Sequence, residues 1–405
     1  MTQTVAAVAK STMSAKEFTI LTATLMSIVA ISIDALLPAL GIIANDFAVQ
    51  DANQVQLLIS ALFLGMALGQ LLCGPLSDAL GRKPILYTGL AVYFLGTFIC
   101  LFATDLTTLL SGRFIQGLGV AGPYISAIAL VRDQYKGRDM AKIMSLVMMI
   151  FILVPAIAPS VGQGILFFSD WHGIFVLYLG YALLILAWIT FRLSETLPKE
   201  KRIPFTRKGF IAGFKEVVTN KATASLTLCM GLIFGCLIGY LNSSQQIFQE
   251  LFQTGNMFSV YFGLLALVLG VSSLVNSRFV ERLGMHFIAT RAFQAIIVSS
   301  AGFLALQFIV PEIHLWLFLL YAAILFFSFG LIFGNINAMA MEPMGHVAGI
   351  ASAVIGSVSS IMSITIGTTI GQLYNGSLLP MTMGFLLMGS CALALMLYAE
   401  TQRAK

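Results

Sequence analysis

The sequence predicts an all-α membrane protein with twelve transmembrane helices arranged as two six-helix bundles. The 405-residue chain is 59% hydrophobic and only 10% charged, with a mean hydropathy of +0.94. A soluble domain carries about 25% charged residues. Apolar runs of about 20 residues, each long enough to cross a hydrocarbon layer of about 30 Å, recur along the whole chain. The charged residues lie almost entirely in the breaks between these runs.

The individual spans follow from the positions of the polar breaks. Residues 1–16 are polar, and the apolar run that follows is too long for the core of a signal peptide, so it is read as a span. The five cysteines fall within apolar runs and have neither the spacing of a metal site nor that of a disulfide framework. The predicted spans are 18–44, 55–77, 84–104, 107–131, 143–168, 173–191, 223–243, 257–277, 288–310, 314–336, 348–374 and 380–399.

The basic residues orient the predicted spans. All but one of the 22 lysines and arginines fall in the loops and termini on one side of the predicted membrane. Cytoplasmic loops retain such residues, so both termini are predicted to be cytoplasmic. The net charge of +5 is therefore a signal of topology and does not indicate a nucleic-acid partner. The opposite side has no basic residue but carries Asp46, Asp51, Asp105, Asp170, Glu250 and Glu312.

The longest polar stretch divides the chain near its centre. We predict an N-terminal six-helix bundle over 1–191, a cytoplasmic central loop over 192–222 and a C-terminal six-helix bundle over 223–405. Apolar residues at helical spacing in 210–218 predict an interfacial helix in this loop, and a disordered linker is an equal alternative for 195–207. "DALG" at 78–81 and "ERLG" at 281–284, about half a chain apart, indicate duplicated halves.

Two charged side chains lie inside the predicted spans. Asp34 stands in the apolar stretch "SIVAISIDALLPAL" of span 1, and Arg113 stands in span 4. A charge at the centre of a bilayer costs roughly 2.5–3.5 kcal/mol on insertion scales, so such residues mark proton or substrate pathways. Their similar predicted depths allow a direct or water-bridged contact. Two interpretations stay open, a permanent buried pair that joins two helices and a carboxylate that binds and releases protons.

The loop after span 2 contains a compact motif, "GPLSDALGRKPIL", at 74–86. Gly74 permits close helix approach, Asp78 ends the span, and Arg82 and Lys83 are expected to face the anionic inner leaflet. A positively charged turn needs only these two basic residues, which leaves Gly74, Asp78 and Gly81 unexplained. The motif resembles the signature loop of the major facilitator superfamily, with Ala79 in place of the usual arginine. The resemblance implies conformational gating by Gly74, Asp78, Gly81, Arg82 and Lys83.

Two further motifs resemble those of proton-driven members of that superfamily. "LLSGRFIQGLGVAGPY" at 109–124 is similar to a fourth-helix motif and contains Arg113. "VPAIAPSVGQG" at 154–164 is similar to a fifth-helix antiporter motif, in which Pro159 and Gly162 match while Ala158 and Gln163 replace glycines. The alternative for this segment is a kinked, closely packed helix without directional meaning. "SIDALLPAL" and "GHVAGIASAVIG" resemble helices 1 and 11 of the bicyclomycin/chloramphenicol-resistance exporters.

These resemblances imply a monomeric multi-pass protein of the bacterial inner membrane that exports lipophilic drugs or small metabolites in exchange for protons. Asp34 and Arg113 would couple the protons. Tyr124, Tyr240 and Asn242 lie on helices that line the superfamily's cavity and would contact the substrate. A proton-coupled uptake symporter of a small metabolite is the alternative. We expect no enzymatic activity, metal, cofactor or nucleic-acid partner, only a small-molecule substrate, protons and the lipid bilayer.

Overall fold

The computed structural model describes residues 13–202, 207–310 and 312–403. These residues form α-helices joined by short turns and contain no β-strand. The helices are α1 (Ala15–Asp34), α2 (Leu40–Asp46), α3 (Leu57–Leu80), α4 (Arg82–Leu101), α5 (Leu106–Gln134), α6 (Gly137–Leu166), α7 (His172–Phe191), α8 (Arg207–Thr219), α9 (Lys221–Gln245), α10 (Phe258–Leu283), α11 (Met285–Ile309), α12 (Leu315–Met341), α13 (Ala348–Gln372) and α14 (Leu379–Arg403).

Twelve segments of the described chain are long and apolar enough to cross a membrane, which confirms the predicted number. Helices α1 and α2 together make the first of them, and every other helix except α8 makes one. The amphipathic helix expected in the central loop is present as α8. The other part of that loop, for which a linker was the alternative, contains a short 3-10 turn at Lys199–Lys201; residues 203–206 lie outside the described residues.

The helices pack as two groups of six spans. In the first group α5 lies between α3 and α4, and in the second α9 lies against α13 and α14. The two groups meet mainly where α3 packs on α13 and where α6 packs on α10. Helix α7 ends at Phe191 and α9 begins at Lys221. That residues 1–191 and 223–405 form two separate bundles that move as units stays a prediction.

Glycines allow α5 to approach its two neighbours closely. A Cβ atom at Gly117 would overlap the carbonyl of Leu62 on α3, and one at Gly119 would overlap the backbone of Tyr93 on α4. Backbone-to-backbone packing of this kind is how helices associate in lipid, where no hydrophobic effect drives them together. The close fit holds the helix that carries Arg113 rigidly between its neighbours.

We name the two faces of the bundle by their charges. The basic face is where α1 begins, where α3 turns into α4 and where α7 ends, and it carries Lys16, Arg82 and Arg192. The turn there at Gly81 has φ +106°, and the corresponding turn after α10 at Gly284 has φ +82°. Both glycines thus adopt a conformation that other residues rarely tolerate. The repeated "LG" motif marks equivalent turns in the two groups of helices.

The other face of the bundle, which we call the acidic face, is where α5 begins. Asp105 caps that helix by accepting hydrogen bonds from the backbone N–H and the hydroxyl of Thr108, at 2.8 and 2.7 Å. These hydrogen bonds lower the pKa of Asp105 from its ordinary value. A carboxylate at a helix N-terminus is favoured by the helix dipole as well. Asp105, eight residues before Arg113, thus fixes the start of α5.

The two groups of helices are joined by amide side chains near the acidic face. Asn53 donates to the carbonyls of Gln372 and Tyr374 at 3.2 and 2.9 Å, and Gln372 donates back to the carbonyl of Asn53 at 2.6 Å. Gln56 donates to Gln246, which in turn donates to Asn53 at 3.0 Å. We call Asn53, Gln56, Gln246 and Gln372 the polar latch. It joins the two groups of helices at this face through uncharged side chains.

Candidate substrate and proton site

The first span is interrupted directly after Asp34. Pro38 has no backbone N–H, so the carbonyl of Asp34 loses its helical partner and α1 ends there. The N–H of Leu36 bonds to the carbonyl of Ile33 at 3.3 Å instead of to that of Ser32. A 3-10 turn then leads into α2. The break therefore leaves carbonyl groups in the membrane interior that need partners from other helices.

Arg113 supplies one of these partners. Its Nη2 donates to the carbonyl of Ser32 at 2.8 Å, its Nε to the carbonyl of Leu58 at 3.2 Å, and its Nη1 to Oε1 of Gln116 at 2.5 Å. The hydroxyl of Tyr178 donates to the same Ser32 carbonyl at 3.2 Å. Arg113 is fully buried. It thus joins its own helix, α5, to the backbones of α1 and α3.

Asp34 and Arg113 do not form an ion pair in this structure. Among the described residues no basic nitrogen lies within 4.0 Å of the Asp34 carboxylate, and no hydrogen bond reaches it, although only 4% of the residue is exposed. The direct contact that their predicted depths allow is therefore absent, and Arg113 instead binds the backbone carbonyl of Ser32, two residues before Asp34. A buried carboxylate without a donor is unfavourable as an anion. A proton or a cationic or donor group of a ligand would satisfy it.

Two tyrosines lie within electrostatic range of Asp34. They are Tyr178 on α7 and Tyr240 on α9, so the second comes from the other group of helices. The Tyr240 hydroxyl is buried and has no hydrogen-bond partner among the described residues. Its ring packs edge-on against Phe326, with 4.9 Å between centroids, and lies nearly parallel to Phe262. Tyr240 therefore places an unpaired hydroxyl beside aromatic rings, within electrostatic range of the unpaired Asp34.

The fifth span touches the break in the first. A Cβ atom at Gly162 would overlap the carbonyl of Ala35, the residue after Asp34, so α6 reaches the break only because residue 162 is glycine. One turn away along α6, the carbonyl of Pro159 accepts a hydrogen bond from Ser259 on α10 at 3.1 Å. The structure thus places Pro159 and Gly162 on the part of α6 that lies against the break after Asp34. It also places them where the two groups of helices meet.

The two other predicted substrate residues lie in different surroundings. Asn242 donates from Nδ2 to Ser60 and to the carbonyl of Gly367, both at 3.2 Å, so its amide nitrogen joins the two groups of helices. Its buried Oδ1 has no partner among the described residues. Tyr124 on α5 is partly exposed, four residues and one turn after Val120. Both residues remain predicted ligand contacts.

The signature loop forms a compact charge cluster at the basic face. Arg82 donates to Asp78 at 2.7 Å and makes a bidentate contact with Asp133 at 2.8 and 3.2 Å. The second carboxylate oxygen of Asp78 lies near Gly349, in the first turn of α13, where the helix dipole favours a negative charge. Asp78 therefore lies between the loop and the first turn of α13 in the other group of helices.

Two expectations for this loop are wrong. Arg82 does not face lipid headgroups, because its side chain is 97% buried between two carboxylates. Lys83 also turns inward, and its Nζ donates to the carbonyl of Leu193 at 2.7 Å. Helix α4 begins beside the segment that follows α7, which contains Leu193 and Glu195. Both basic residues therefore bind protein groups. At Gly74 the approach to α13 is not tight, since an added Cβ would lie 3.6 Å from that of Ala353.

Glu195 is a residue of this cluster that the sequence interpretation missed. Its carboxylate accepts from the backbone N–H groups of Arg82 and Lys83, both at 3.0 Å, and so caps the start of α4. Gly81 packs against it, because a Cβ there would lie 2.7 Å from Glu195 Oε2. Asp133 was missed as well. The available signal was weak, since Glu195 and Asp133 are two of several acids that stand among basic residues on this side of the chain.

With this geometry established, comparison with known proteins gives the family. The sequence model of the Major Facilitator Superfamily matches residues 21–368, most of the chain. The chain belongs to the Major Facilitator Superfamily. Members of this superfamily are transporters of small molecules rather than enzymes, and the twelve apolar helices make this chain a multi-pass membrane protein.

Relatives within the superfamily carry names from drug resistance. The chain is 29% identical over 360 residues to a bicyclomycin resistance protein homolog of Haemophilus influenzae, with 89% of each chain covered. It is 25% identical over 381 residues to multidrug resistance protein D of Escherichia coli, covering 89% of this chain and 90% of the relative. An uncharacterized MFS-type transporter of Bacillus subtilis, YdgK, is 29% identical over 344 residues, 84% of this chain and 85% of the relative.

Solved structures share the fold at low identity. The peptide transporter POT matches 95% of this chain and 93% of its own with a TM-score of 0.71 and 14% identity. The human organic anion transporter MFSD10 matches 96% of this chain and 99% of its own with a TM-score of 0.69 and 15% identity. The fold class predicted from the sequence is thereby confirmed as the major facilitator fold.

Proposed function

We propose that the protein is a proton-coupled antiporter that exports lipophilic drugs or small metabolites across a bacterial inner membrane, with the basic face in the cytoplasm. The observation that carries the proposal is the buried carboxylate of Asp34, which lacks a partner beside a helix break and near the unpaired hydroxyl of Tyr240. The drug-resistance names of the relatives support outward transport. The predominance of basic residues on one face supports the orientation.

The mechanism uses Asp34 as a site that a proton and a substrate share. On the cytoplasmic side, deprotonated Asp34 binds a cationic or hydrogen-bond-donating substrate, with Tyr240 and the neighbouring rings as a further contact. The two groups of helices then rock so that the site opens outward. A proton from the external medium neutralises Asp34 and releases the substrate. Return of the protonated protein and loss of the proton to the cytoplasm complete the cycle.

The polar latch and the signature-loop cluster are the proposed gates of this cycle. In the described conformation the latch joins the two groups at the acidic face, which corresponds to closure on the external side. Outward opening requires breaking its amide hydrogen bonds, each of which contributes only about 1 kcal/mol net. Gly74, Asp78, Gly81, Arg82 and Lys83 would act at the cytoplasmic side, with Pro159 and Gly162 between the halves. Arg113 and Gln116 stabilise the break while the halves move.

The proposal is tested by measuring whether the protein lowers or raises the accumulation of compounds in cells. The gene is expressed in a bacterial host that lacks its main drug pumps, and the cells are tested against a panel that includes chloramphenicol and a lipophilic dye. We expect reduced accumulation of at least one compound, and we expect a protonophore to abolish the reduction. Increased accumulation that depends on the proton gradient would instead identify an uptake symporter. Purified protein in proteoliposomes with an imposed pH gradient excludes indirect effects of expression.

A further inference from the structure

The α8 helix in the central loop presents three distinct faces. Gly213 and Val217 face the protein: Val217 is 2% exposed, and a Cβ at Gly213 would lie 2.7 Å from the side chain of Ile350 on α13. Ile211, Phe214 and Val218 form a second face and are 53%, 40% and 51% exposed. Ala212 and Thr219 lie on the third face and are exposed, and among residues 211–219 this face carries no large apolar side chain. We call the second group the apolar face of α8.

We propose that the apolar face of α8 inserts into the cytoplasmic leaflet of the bilayer at anionic lipid headgroups and couples lipid composition to the movement of α13. The membrane is the partner that the position of α8 favours. The helix connects the end of the sixth span with the start of the seventh, and it packs on the first turns of α13, so it lies at the level where spans enter the membrane.

The charge of the segment fits an anionic surface. Residues 207–221 contain the basic residues Arg207, Lys208, Lys215 and Lys221 but a single acid, Glu216. Basic residues at the edge of an inserted apolar stripe are characteristic of helices that bind anionic membranes. Near such a surface each lysine or arginine strengthens binding on the order of fivefold. The attraction falls off within about 10 Å at ordinary ionic strength, so it acts only where the apolar face touches the leaflet.

The coupling follows from one chain of contacts. Gly213 of α8 lies against Ile350, whose neighbour Gly349 faces Asp78 of the signature-loop cluster. Because α13 packs along α3, a shift of its basic-face end relative to the bilayer changes this contact. A leaflet that holds α8 firmly therefore biases the position of α13 relative to α3. The inference does not depend on the direction of transport or on the identity of the substrate.

The first experiment measures insertion directly. Cys73 and Cys391 are replaced by serine, because the remaining cysteines are fully buried and do not react. Nitroxide labels are then placed singly at Ile211→Cys, Phe214→Cys and Val218→Cys, with Ala212→Cys and Thr219→Cys as controls on the third face. In liposomes containing phosphatidylglycerol we expect membrane-dissolved oxygen to reach the first three labels and a water-soluble nickel chelate to reach the controls. Equal access of the nickel chelate to all five labels would overturn the proposal.

The second experiment measures the coupling. Labels on the exposed residues Leu80 of α3 and Ser352 of α13 report the separation of the two helices at the basic face. In wild type we expect the distribution of distances to change when phosphatidylglycerol replaces a zwitterionic lipid. Phe214→Asp should abolish this response, whereas Ala212→Asp, which adds the same charge on the third face, should retain it. A response that both variants retain, or one that wild type lacks, would refute the coupling.

Discussion

Arg113 donates a hydrogen bond to the carbonyl of Ser32 at 2.8 Å, two residues before Asp34. The buried base therefore binds the backbone at the break of the first span and leaves the buried acid without an ionic partner. This arrangement separates two roles that an ion pair would combine. Arg113 maintains the conformation of the break, and Asp34 remains available to a proton or a ligand.

Replacing Asp34 by asparagine should abolish proton coupling. The amide keeps the size of the side chain but cannot bind or release a proton, so substrate addition should no longer displace one. Proton release from detergent-solubilised protein on adding substrate measures this directly. Asp46→Asn is the matched control, since Asp46 accepts a hydrogen bond from Trp171 near the acidic face. Equal proton release from wild type and Asp34→Asn would show that the proton binds elsewhere.

Replacing Arg113 by glutamine should destabilise the protein as well as impair transport. The carbonyl of Leu58 would lose its side-chain donor and the carbonyl of Ser32 would keep only the hydroxyl of Tyr178. A hydrogen bond left unmade in the membrane interior costs roughly 1–3 kcal/mol. We expect the melting temperature in detergent to fall by on the order of 5 °C. Arg113→Lys should not restore it, because an ammonium group lacks the planar fork that reaches several acceptors at once.

The control for this prediction is Arg291→Gln. Arg291 is exposed, and its hydrogen bond goes to Gln294 on its own helix. Its removal should leave the melting temperature within about 1 °C of wild type, because surface substitutions rarely exceed ±0.5 kcal/mol. An Arg113→Lys protein with wild-type stability and transport would mean that the carbonyl contacts contribute little.

Replacing Gly162 by alanine should push α6 away from the break in the first span. The new methyl group would overlap the carbonyl of Ala35 and displace α6, α1 or both. A displacement of about 1 Å at a functional site can reduce a rate by on the order of 100-fold. Initial transport rates, normalised to folded protein, measure the effect. Gly164→Ala on the same helix is the control, because nothing lies within 4 Å of a Cβ there.

Removing the carboxylate of Glu195 should loosen the signature loop without weakening ligand binding. Glu195→Ala deprives the N–H groups of Arg82 and Lys83 of their acceptor, a loss comparable to that of a helix cap, about 1 kcal/mol. We expect slower transport with an unchanged dissociation constant for substrate. Glu200→Ala, in the exposed 3-10 turn of the same loop, should behave as wild type. A larger dissociation constant for substrate in Glu195→Ala would show that this residue affects the binding site instead.

Gly81→Leu provides an independent test of the same loop. The positive φ of Gly81 and the nearby Glu195 carboxylate both disfavour a side chain there. We expect this variant to fold with the ligand site intact but to cycle slowly between its two open states. Transport at the wild-type rate by reconstituted Gly81→Leu protein would argue against gating by this turn.

The sequence by itself determined the number of spans and the approximate boundaries of most helices, and it singled out Asp34 and Arg113 as charges inside spans. It predicted a continuous first span over 18–44 and not the break after Asp34. What it determined depends on local chemistry. A span is an apolar run of sufficient length, and a charge such as Asp34 or Arg113 stands out in the sequence because the membrane interior tolerates so few charges. The amphipathic pattern of α8 was equally local, as was the glycine turn at Gly81.

The tertiary structure alone decided which side chains meet. Distances in sequence cannot show that Arg113 binds the Ser32 carbonyl instead of Asp34, because that carbonyl becomes available only when the helix breaks and α5 lies beside it. Glu195 and Asp133 reach Arg82 from chain segments 113 and 51 residues away. Gly162 meets Ala35 because α6 packs across α1. Such contacts arise from the packing of helices against each other, in which each backbone group and each charge takes the partner that the neighbouring helix provides.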